Sequence, residues 1–189
     1  IAPTSIPAGA RLSLAFNYDC QGRRISKTVS DSTGSTILKE KYLYDGWNLV
    51  AVLNATNNAR VKSFLWGSDL SGSLQGAGGV GGLLAMNVSG GSVYFPAYDG
   101  NGNVTALIKG TDGTIAAAYE YGPFGECVRS TGTMAKTNPF RFSSKYQDDE
   151  SDLLYYGYRF YSQSLGRWLS RDPIGERGCL NAHAFLSND

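Results

Sequence analysis

The sequence predicts an all-β protein built from stacked antiparallel β-hairpins. Glycine and tyrosine are both abundant, with 24 glycines and 12 tyrosines among 189 residues. Clusters that combine an aromatic residue, an acidic or amide residue and a glycine recur at intervals of 22–32 residues. Between them lie short β-branched and aromatic segments and turn-forming sequences such as SDSTGST, NATNNA and GTDGT. This period indicates small units that bury their faces against their neighbours and form a curved or spiralling sheet.

The recurring clusters are typical of strand ends that lead into tight turns. They occupy residues 16–24, 42–50, 63–70, 95–104 and 119–128. The aromatic residue is expected to end a strand, and the following Asp or Asn with its glycine to form the reversal, because glycine tolerates positive φ. We therefore assign a structural role to seven cluster residues: Tyr18, Asp19, Tyr44, Asp45, Tyr98, Asp99 and Tyr121.

Four segments follow one another along the chain. Residues 1–66 are predicted to form hairpins, and in LKEKYLY the apolar residues Leu38, Tyr42 and Tyr44 share one face of a half-buried strand. Residues 67–92 are rich in glycine but contain no lysine and no phosphate-binding motif, so nucleotide binding is not expected. Their leucines favour a close-packed inserted loop that leads into a strand near 83–88. Residues 93–137 return to hairpins, and residues 138–189 form a distinct C-terminal segment.

The composition and charge of the chain exclude several classes of function. Hydrophobic residues make up 42% and charged residues 17% of the chain, and the net charge is +1, so we expect a globular protein with no nucleic-acid partner. No apolar run approaches the roughly 18 residues of a membrane span. Cys20, Cys127 and Cys179 lack CxxC spacing, and the single His183 cannot complete a zinc site with them. We expect no metal and no cofactor, and the odd cysteine count leaves their pairing open.

Two sets of motifs resemble known sequences. The Tyr-Asp-x-x-Gly clusters are similar to YD repeats, and the segment from Asn138 onward closely resembles the RHS repeat-associated core domain. The motifs that carry the second resemblance are Phe-Arg-Phe-Ser, Tyr-Tyr-x-Tyr-Arg-x-Tyr, Gly-Arg-Trp and Arg-Asp-Pro-Ile-Gly, in the family's order and spacing. The resemblance implies a spiralling β-sheet that forms a hollow shell around a polymorphic toxin. It also implies a bacterial protein that is secreted or lies at the cell surface.

The same resemblance implies that residues 138–189 lie inside one end of the shell. We call this segment the C-terminal plug. In the motif RFYSQSLGRWLSRDPIG, the side chains of Arg159, Arg167 and Arg171 suit carboxylate pairing, and Trp168 can bury a large area. We expect this motif to fold back as an apolar seal in which at least one arginine bonds to a carboxylate such as Asp172. The structural residues of the seal are Arg159, Arg167, Trp168, Arg171, Asp172, Pro173 and Gly175.

This seal makes a mutational prediction. Trp168→Ala and Arg167→Ala are expected to impair soluble assembly, because each removes a buried group of the seal. Gln163→Ala is expected to be near neutral, because Gln163 falls in the intervening turn.

Many members of the resembled family release their toxin by aspartyl-type self-proteolysis. That chemistry needs two carboxylates that share a proton. Asp172, in the family's Asp-Pro-x-Gly position, is the best candidate for one, and Glu176 is a weaker candidate for the other. The family's downstream Asp-Pro-x-Gly-Leu segment is absent from this sequence, so we expect no enzymatic turnover from the chain itself.

Other groups of potentially reactive residues are interpreted as structural. The acidic segment QDDESD, residues 147–152, is interpreted as a solvated hairpin turn. Ser162, Ser164 and Ser170 lie near His183 in sequence, but no GxSxG motif accompanies them, so a serine hydrolase is not favoured. Sugar binding by the aromatic clusters stays open, although aromatic residues at a repeat period usually form core.

The function that we predict is structural: a shell wall and end plug around a toxin cargo. A sheet of this length has open edges, and open edges pair with other strands. Its partners would be other YD-repeat segments or identical chains. A contact between identical chains that does not close would give a filament, so a self-assembling extracellular fibre is the alternative. A self-cleaving aspartyl core that needs a downstream segment is the third hypothesis.

Overall fold

A computed structural model describes residues 11–173 and 183–185. Within these ranges the chain forms β-strands and one short 3-10 turn, and the strands pair antiparallel within each of its units. The predicted all-β hairpin fold is confirmed. The chain divides into two compact units, residues 1–63 and 64–189, which are described separately.

The first unit contains a meander in which each strand pairs with the next. Its strands are β1 (Ser13–Tyr18), β2 (Arg24–Ser30), β3 (Thr36–Asp45), β4 (Asn48–Asn54) and β5 (Arg60–Trp66). The division between the units falls within β5. Alternation places Val29, Tyr42 and Val52 in buried positions, and Tyr42 lies directly opposite Val52. A cross-strand pair of this kind contributes roughly 0.2–1 kcal/mol to the sheet.

The second unit contains two sheets. The first is a meander of β6 (Leu83–Val88), β7 (Val93–Tyr98), β8 (Val104–Lys109), β9 (Ile115–Tyr121) and β10 (Cys127–Thr131). The 3-10 turn Phe142–Ser144 leads into the C-terminal sheet, which consists of β11 (Tyr146–Asp148), β12 (Leu153–Tyr155), β13 (Phe160–Ser162) and β14 (Arg167–Trp168). The strand predicted near 83–88 is β6. The segment boundaries at residues 66, 92 and 137 stay predictions.

Five reversals of the described chain share one turn geometry. At Asp19, the N–H of Gly22 donates to the Asp19 carbonyl at 3.0 Å, and the Asp19 N–H donates to the Arg23 carbonyl at 2.9 Å. Gly22 has a φ of 80°, which favours glycine. The same two bonds, with a positive-φ glycine at the fourth position, recur in turns 31–35, 69–73, 99–103 and 122–126.

The aspartates of these turns act through their carboxylates. Asp19 Oδ1 accepts hydrogen bonds from the N–H groups of Gln21 and Arg23, both at 2.9 Å. Asp99 Oδ1 accepts bonds from the corresponding two N–H groups, again at 2.9 Å. A side chain that bonds the main chain two and four residues ahead fixes the turn locally. Asp45 differs, because it pairs with Asn48 across a shorter reversal in which Gly46 has a φ of 57°.

The acidic segment 147–152 forms the predicted hairpin turn between β11 and β12. Its predicted exposure is wrong for Asp148, which is fully buried as the last residue of β11. Asp149 is exposed and pairs with the buried guanidinium of Arg141 at 2.9 Å. The segment therefore ties the C-terminal sheet to the loop that precedes it.

Candidate functional site

The C-terminal sheet is held together by an aromatic cluster. Leu154, Tyr161 and Trp168, one from each of β12, β13 and β14, form its buried core. Phe185 packs on this core, with its ring centroid 4.3 Å from that of Tyr161 and 5.3 Å from that of Trp168. The edge of the Tyr156 ring meets Trp168 at 4.9 Å. Rings in these geometries add roughly 0.5–1.5 kcal/mol per pair beyond the area that they bury.

Arg159 links this cluster to the Asp-Pro motif. Its Nη1 lies 2.9 Å from Asp172 Oδ2, and both side chains are about one-fifth exposed, at 20% and 19%. The guanidinium also lies over the Trp168 ring, 4.1 Å from the ring centroid. These groups, with Tyr156, Tyr158 and Pro173, line a cavity of about 420 Å³. Of the three predicted arginines, Arg159 forms the pair, whereas Arg167 and Arg171 are exposed. The prediction that Arg167→Ala removes a buried group of the seal is therefore wrong.

The C-terminal sheet contacts one repeat turn directly. The Tyr161 hydroxyl donates to the Phe124 carbonyl at 3.0 Å, and the Gln163 amide donates to the Gly125 carbonyl. A Cβ on Gly125 would lie 2.5 Å from the Phe142 ring, so a larger residue at this position would displace the 3-10 turn. Gln163 is 5% exposed. The prediction that Gln163 lies in an inert turn is wrong, because its side chain bonds the facing turn.

A second set of contacts joins the 3-10 turn to turn 99–103. Ser144 Oγ donates to the Gly102 carbonyl at 2.7 Å and accepts the N–H of Gly81 at 2.9 Å. The N–H of Ser143 donates to Asn103 Oδ1 at 2.7 Å. Ser143 and Ser144 have φ values of 50° and 49°, a strained conformation for residues other than glycine. The strained turn is therefore held by bonds to the repeat sheet.

The buried loop before this turn is organised by Asn138. Its Nδ2 donates to the Phe140 carbonyl at 2.6 Å, and its Oδ1 accepts the Phe140 N–H at 3.1 Å. Arg141 Nε donates to the Asn138 carbonyl at 3.0 Å. Asn138 is fully buried, and an amide that is satisfied in this way can be buried without a large desolvation cost. These bonds give Asn138, Phe140 and Arg141 structural roles in this loop.

The glycine-rich loop is built around the carboxylate of Asp69. This side chain accepts bonds from Ser71 Oγ at 2.6 Å and from the N–H groups of Ser71, Ala77 and Gly79. The bond from the Ser71 hydroxyl and those from the main chain lower the pKa of Asp69 to about 2, against the effect of burial. The loop is thus organised by an anion that collects N–H donors. The prediction that its leucines are closely packed is wrong for Leu70 and Leu74, which are 59% and 63% exposed.

Lys145 connects this loop to Tyr156. Its Nζ donates to the Gly78 carbonyl and lies 5.2 Å from the centroid of the Tyr156 ring. Burial lowers the pKa of Lys145 to about 8, although the negative charge of Asp69 opposes this shift. Lys145 therefore joins the loop and the C-terminal sheet through one partly desolvated amine.

The tyrosines of the repeat clusters form a set of bonds that sequence reasoning missed. Tyr44, Tyr98 and Tyr121 each donate a hydroxyl hydrogen bond to a carbonyl 15 to 20 residues earlier in the chain. The acceptors are the carbonyls of Arg24, Leu83 and Val104, at 2.9, 2.5 and 2.6 Å. Burial raises the pKa of Tyr98 and Tyr121. Tyr18 is different, because its side chain is exposed.

The predicted catalytic residues are only partly brought together. Asp172 is the one carboxylate among the described residues that line the 420 Å³ cavity. Gly175 and Glu176 lie outside the described residues. Ser162 Oγ lies 3.1 Å from Ser164 Oγ, and His183 Nδ1 lies 3.3 Å from the Trp168 carbonyl. Ser162 therefore contacts Ser164, whereas His183 contacts the main chain of Trp168.

The described ranges contain neither a cluster of metal ligands nor a membrane-spanning helix. No group of three or more His, Cys, Asp or Glu side chains in them is placed to hold a metal ion. Residues 11–173 and 183–185 also contain no helix that is long and apolar enough to cross a membrane. Cys20 and Cys127 are both exposed and unpaired.

Hairpins with repeated Asp-x-x-Gly turns, bonded to a separate C-terminal sheet, define a β-repeat protein. The chain belongs to the Teneurin YD-shell family, whose sequence profile matches residues 4–177. It is 29% identical over 180 residues to the tRNA3(Ser)-specific nuclease WapA of Bacillus spizizenii, covering 92% of this chain and 7% of that protein. It is 27% identical over 186 residues to the double-stranded DNA deaminase toxin A of Burkholderia cenocepacia, covering 92% of this chain and 13% of that protein.

A solved structure shows the same fold. The crystal structure of TcdB2-TccC3 superposes with a TM-score of 0.66 at 22% identity, covering 92% of this chain and 8% of that chain. The chain therefore spans a small part of the proteins that it matches.

Proposed function

We propose that this chain forms wall and plug of a β-shell that encloses a toxin cargo. Membership of the YD-shell family and the names of two relatives, a nuclease and a deaminase toxin, support this proposal. The observation that carries it is the attachment of the C-terminal sheet to turn 122–126 through Tyr161 and Gln163. Bonds from the side chains of one sheet to a turn of the neighbouring sheet, like those of Tyr161 and Gln163, support the proposed attachment of a plug to a wall.

Neighbouring strands of the same shell are the proposed partners. β10 is the last strand of its sheet among the described residues, and all five of its residues are exposed. An edge of this kind pairs readily with another strand. A secreted or cell-surface location in a bacterium fits the proposal, since the two relatives named above come from bacteria.

Protease protection tests the enclosure of a cargo. The natural protein that contains this chain would be digested with a protease that cuts the unfolded cargo. We expect the cargo to resist digestion in the parent protein and to be cut in a Tyr161→Phe/Gln163→Ala variant, because that variant loses both bonds to turn 122–126. Leu165→Ala is the control, because Leu165 is 58% exposed in the turn between β13 and β14. Enclosure would be contradicted if the protease cut the cargo of the parent protein as readily as the cargo of the double variant.

For Asp172 we propose a structural role, in which Arg159 fixes the end of the plug. An aspartyl protease needs two carboxylates that share a proton, and here one Asp172 oxygen accepts from a guanidinium instead. The test supplies a downstream segment to the parent protein and follows its cleavage. Cleavage that Asp172→Asn abolishes, at an unchanged melting temperature, would contradict the structural role and establish catalysis. No cleavage, or cleavage that survives Asp172→Asn, supports the structural role.

The fibre alternative has no counterpart among the relatives described above, and it stays a prediction. Electron microscopy of the purified chain distinguishes it from the shell. Filaments that lengthen with concentration would favour the fibre, and particles of one size would favour the shell segment.

A further inference from the structure

A groove of about 710 Å³ combines a repeat turn with an aromatic surface. Its walls come from residues 99–105, from the end of β9 and the turn after it at 119–123, and from the 3-10 turn. The rings of Tyr121 and Phe142 lie 5.9 Å apart, and those of Phe142 and Phe185 lie 6.3 Å apart. Each of these three residues lines the groove and is only partly buried. The groove therefore has an accessible aromatic lining.

The charged side chains of this groove are acidic. They belong to Asp99 and Glu120, and no lysine or arginine is among the described residues that line it. Asp99 is exposed and forms no ion pair with a described residue. Its Oδ2 accepts the Asn103 side-chain amide at 2.7 Å, and a carboxylate oxygen can accept a second bond. The negative charge of Asp99 is therefore not matched by a basic side chain.

Glu120 has a basic partner, but the pair is weak. Glu120 Oε1 lies 3.3 Å from Arg129 Nη1, and the side chains of Glu120 and Arg129 are 63% and 67% exposed. Water and salt screen a pair of this kind, so it contributes little to stability. The Glu120 carboxylate can therefore exchange this partner for another cation at little cost.

Two sources of negative potential in the groove favour a cation. The faces of aromatic rings attract ammonium and guanidinium groups. The carboxylates of Asp99 and Glu120 add two negative charges to the same walls. The charge of Asp99 acts on the aromatic lining, since it adds to burial, the main cause, in raising the pKa of Tyr121. An anionic ligand would be repelled by both sources.

A group that can bind a peptide main chain lies at the edge of the groove. Asn101 is exposed, and its carboxamide makes no hydrogen bond to another described residue. A carboxamide can donate to a peptide carbonyl and accept from a peptide N–H. The groove thus offers separate contacts for a basic side chain and for the main chain that carries it.

We propose that this groove binds an extended peptide through an arginine or lysine side chain. The basic group lies over the three rings, with the Asp99 and Glu120 carboxylates as its partners. The Asn101 carboxamide bonds the main chain of the peptide. Arginine suits the groove best, because its planar guanidinium stacks on aromatic rings and pairs with carboxylates in a fixed geometry. The proposal does not depend on the shell, since it rests on residues of this chain alone.

Fluorescence anisotropy with the 189-residue chain tests the proposal. The probe is a labelled five-residue peptide with arginine between two pairs of glycines. The comparison peptide carries citrulline, which has the shape of arginine without its charge. We expect saturable binding of the arginine peptide, weakened by added salt, and about tenfold weaker binding of the citrulline peptide. Equal affinities, or no saturable binding of the arginine peptide, would overturn the proposal.

Two matched variants test whether the peptide binds in the groove. Glu120→Lys reverses a charge in the groove, and Asp112→Lys makes the same change in the turn at the other end of β8, where Asp112 is 44% exposed. We expect about tenfold weaker binding by Glu120→Lys and unchanged binding by Asp112→Lys. Thermal unfolding of both variants checks that they are folded. Unchanged binding by Glu120→Lys, or an equal loss in the two variants, would overturn the proposal.

A small guanidinium compound distinguishes a peptide site from a site for small organic cations. Propylguanidinium competes for the rings and carboxylates but has no main chain. We expect it to bind about tenfold more weakly than the arginine peptide, because it lacks the bond to Asn101. Asn101→Ala should remove most of that difference by weakening the peptide alone. Equal affinity of the two ligands for the parent chain would overturn the assignment of a peptide.

Discussion

The pair between Arg159 and Asp172 should stabilise the C-terminal sheet much more than an exposed pair in the same unit. Its two side chains are 20% and 19% exposed, and the N–O distance is 2.9 Å. The comparison pair, Arg129 and Glu120, has a distance of 3.3 Å and exposures of 67% and 63%. A double-mutant cycle with Arg159→Ala and Asp172→Ala should give a coupling free energy of about 1–3 kcal/mol. Water and salt screen exposed pairs, so the second cycle should give a coupling close to zero.

The Arg159→Ala variant should be the more damaging of the two single changes. It also removes the guanidinium that lies over the Trp168 ring, a contact worth about 0.5–2 kcal/mol. Urea unfolding of the four proteins in each cycle, followed by tryptophan fluorescence, measures the coupling. In a chain of this size, 1 kcal/mol shifts the melting temperature by about 2–4 °C, so thermal unfolding provides a second measure. Equal coupling in the two cycles would refute the argument that burial gives this pair its strength.

The remaining predictions concern single contacts. Gln163→Ala should destabilise the chain by about 1–3 kcal/mol, because a carbonyl of the facing turn loses its donor. Leu165→Ala should be near neutral, and equal urea midpoints for the two variants would contradict the prediction. Tyr121→Phe should lower the free energy of unfolding by about 0.5–1.5 kcal/mol, because it removes a bond to a β8 carbonyl. The Tyr94 hydroxyl has no partner among the described residues, so Tyr94→Phe should lower it measurably less in the same assay. Burial lowers the pKa of Lys145 from 10.5 to about 8, so the unfolded chain binds more protons between these pH values and stability should rise with pH across them. Lys145→Met should flatten that rise in urea unfolding, and an unchanged rise would contradict the assignment to Lys145.

The features that could be predicted from the sequence are local. The turn at Asp19 needs a carboxylate that bonds N–H groups two and four residues ahead and a glycine that takes positive φ. Both requirements fall within five consecutive residues, so the sequence shows them directly. The same holds for β6, which is an apolar run that follows a glycine-rich loop. Alternation along β3 also predicts that Tyr42 is buried and that Leu43 is exposed.

The features that could not be predicted depend on contacts between distant segments. Gln163 occupies a turn, a position that usually indicates exposure, but it bonds a carbonyl 38 residues earlier. The hydroxyl of Tyr44 bonds a carbonyl 20 residues earlier, and nothing in a Tyr-Asp pair specifies that acceptor. The choice of Arg159 over Arg167 and Arg171 is also set by the path of the chain after β14. Sequence reasoning found the residue types of the site, and the packing of the C-terminal sheet decided their partners.

Electron microscopy of the natural protein that contains this chain tests the central claim most directly. The account predicts a hollow particle whose wall includes β1–β10, with the C-terminal sheet bonded to turn 122–126 on the inner side of one end. Density for a cargo should lie within the same cavity. A particle without a cavity, or one in which the C-terminal sheet lies on the outer surface, would contradict the proposal that this chain is wall and plug of a shell.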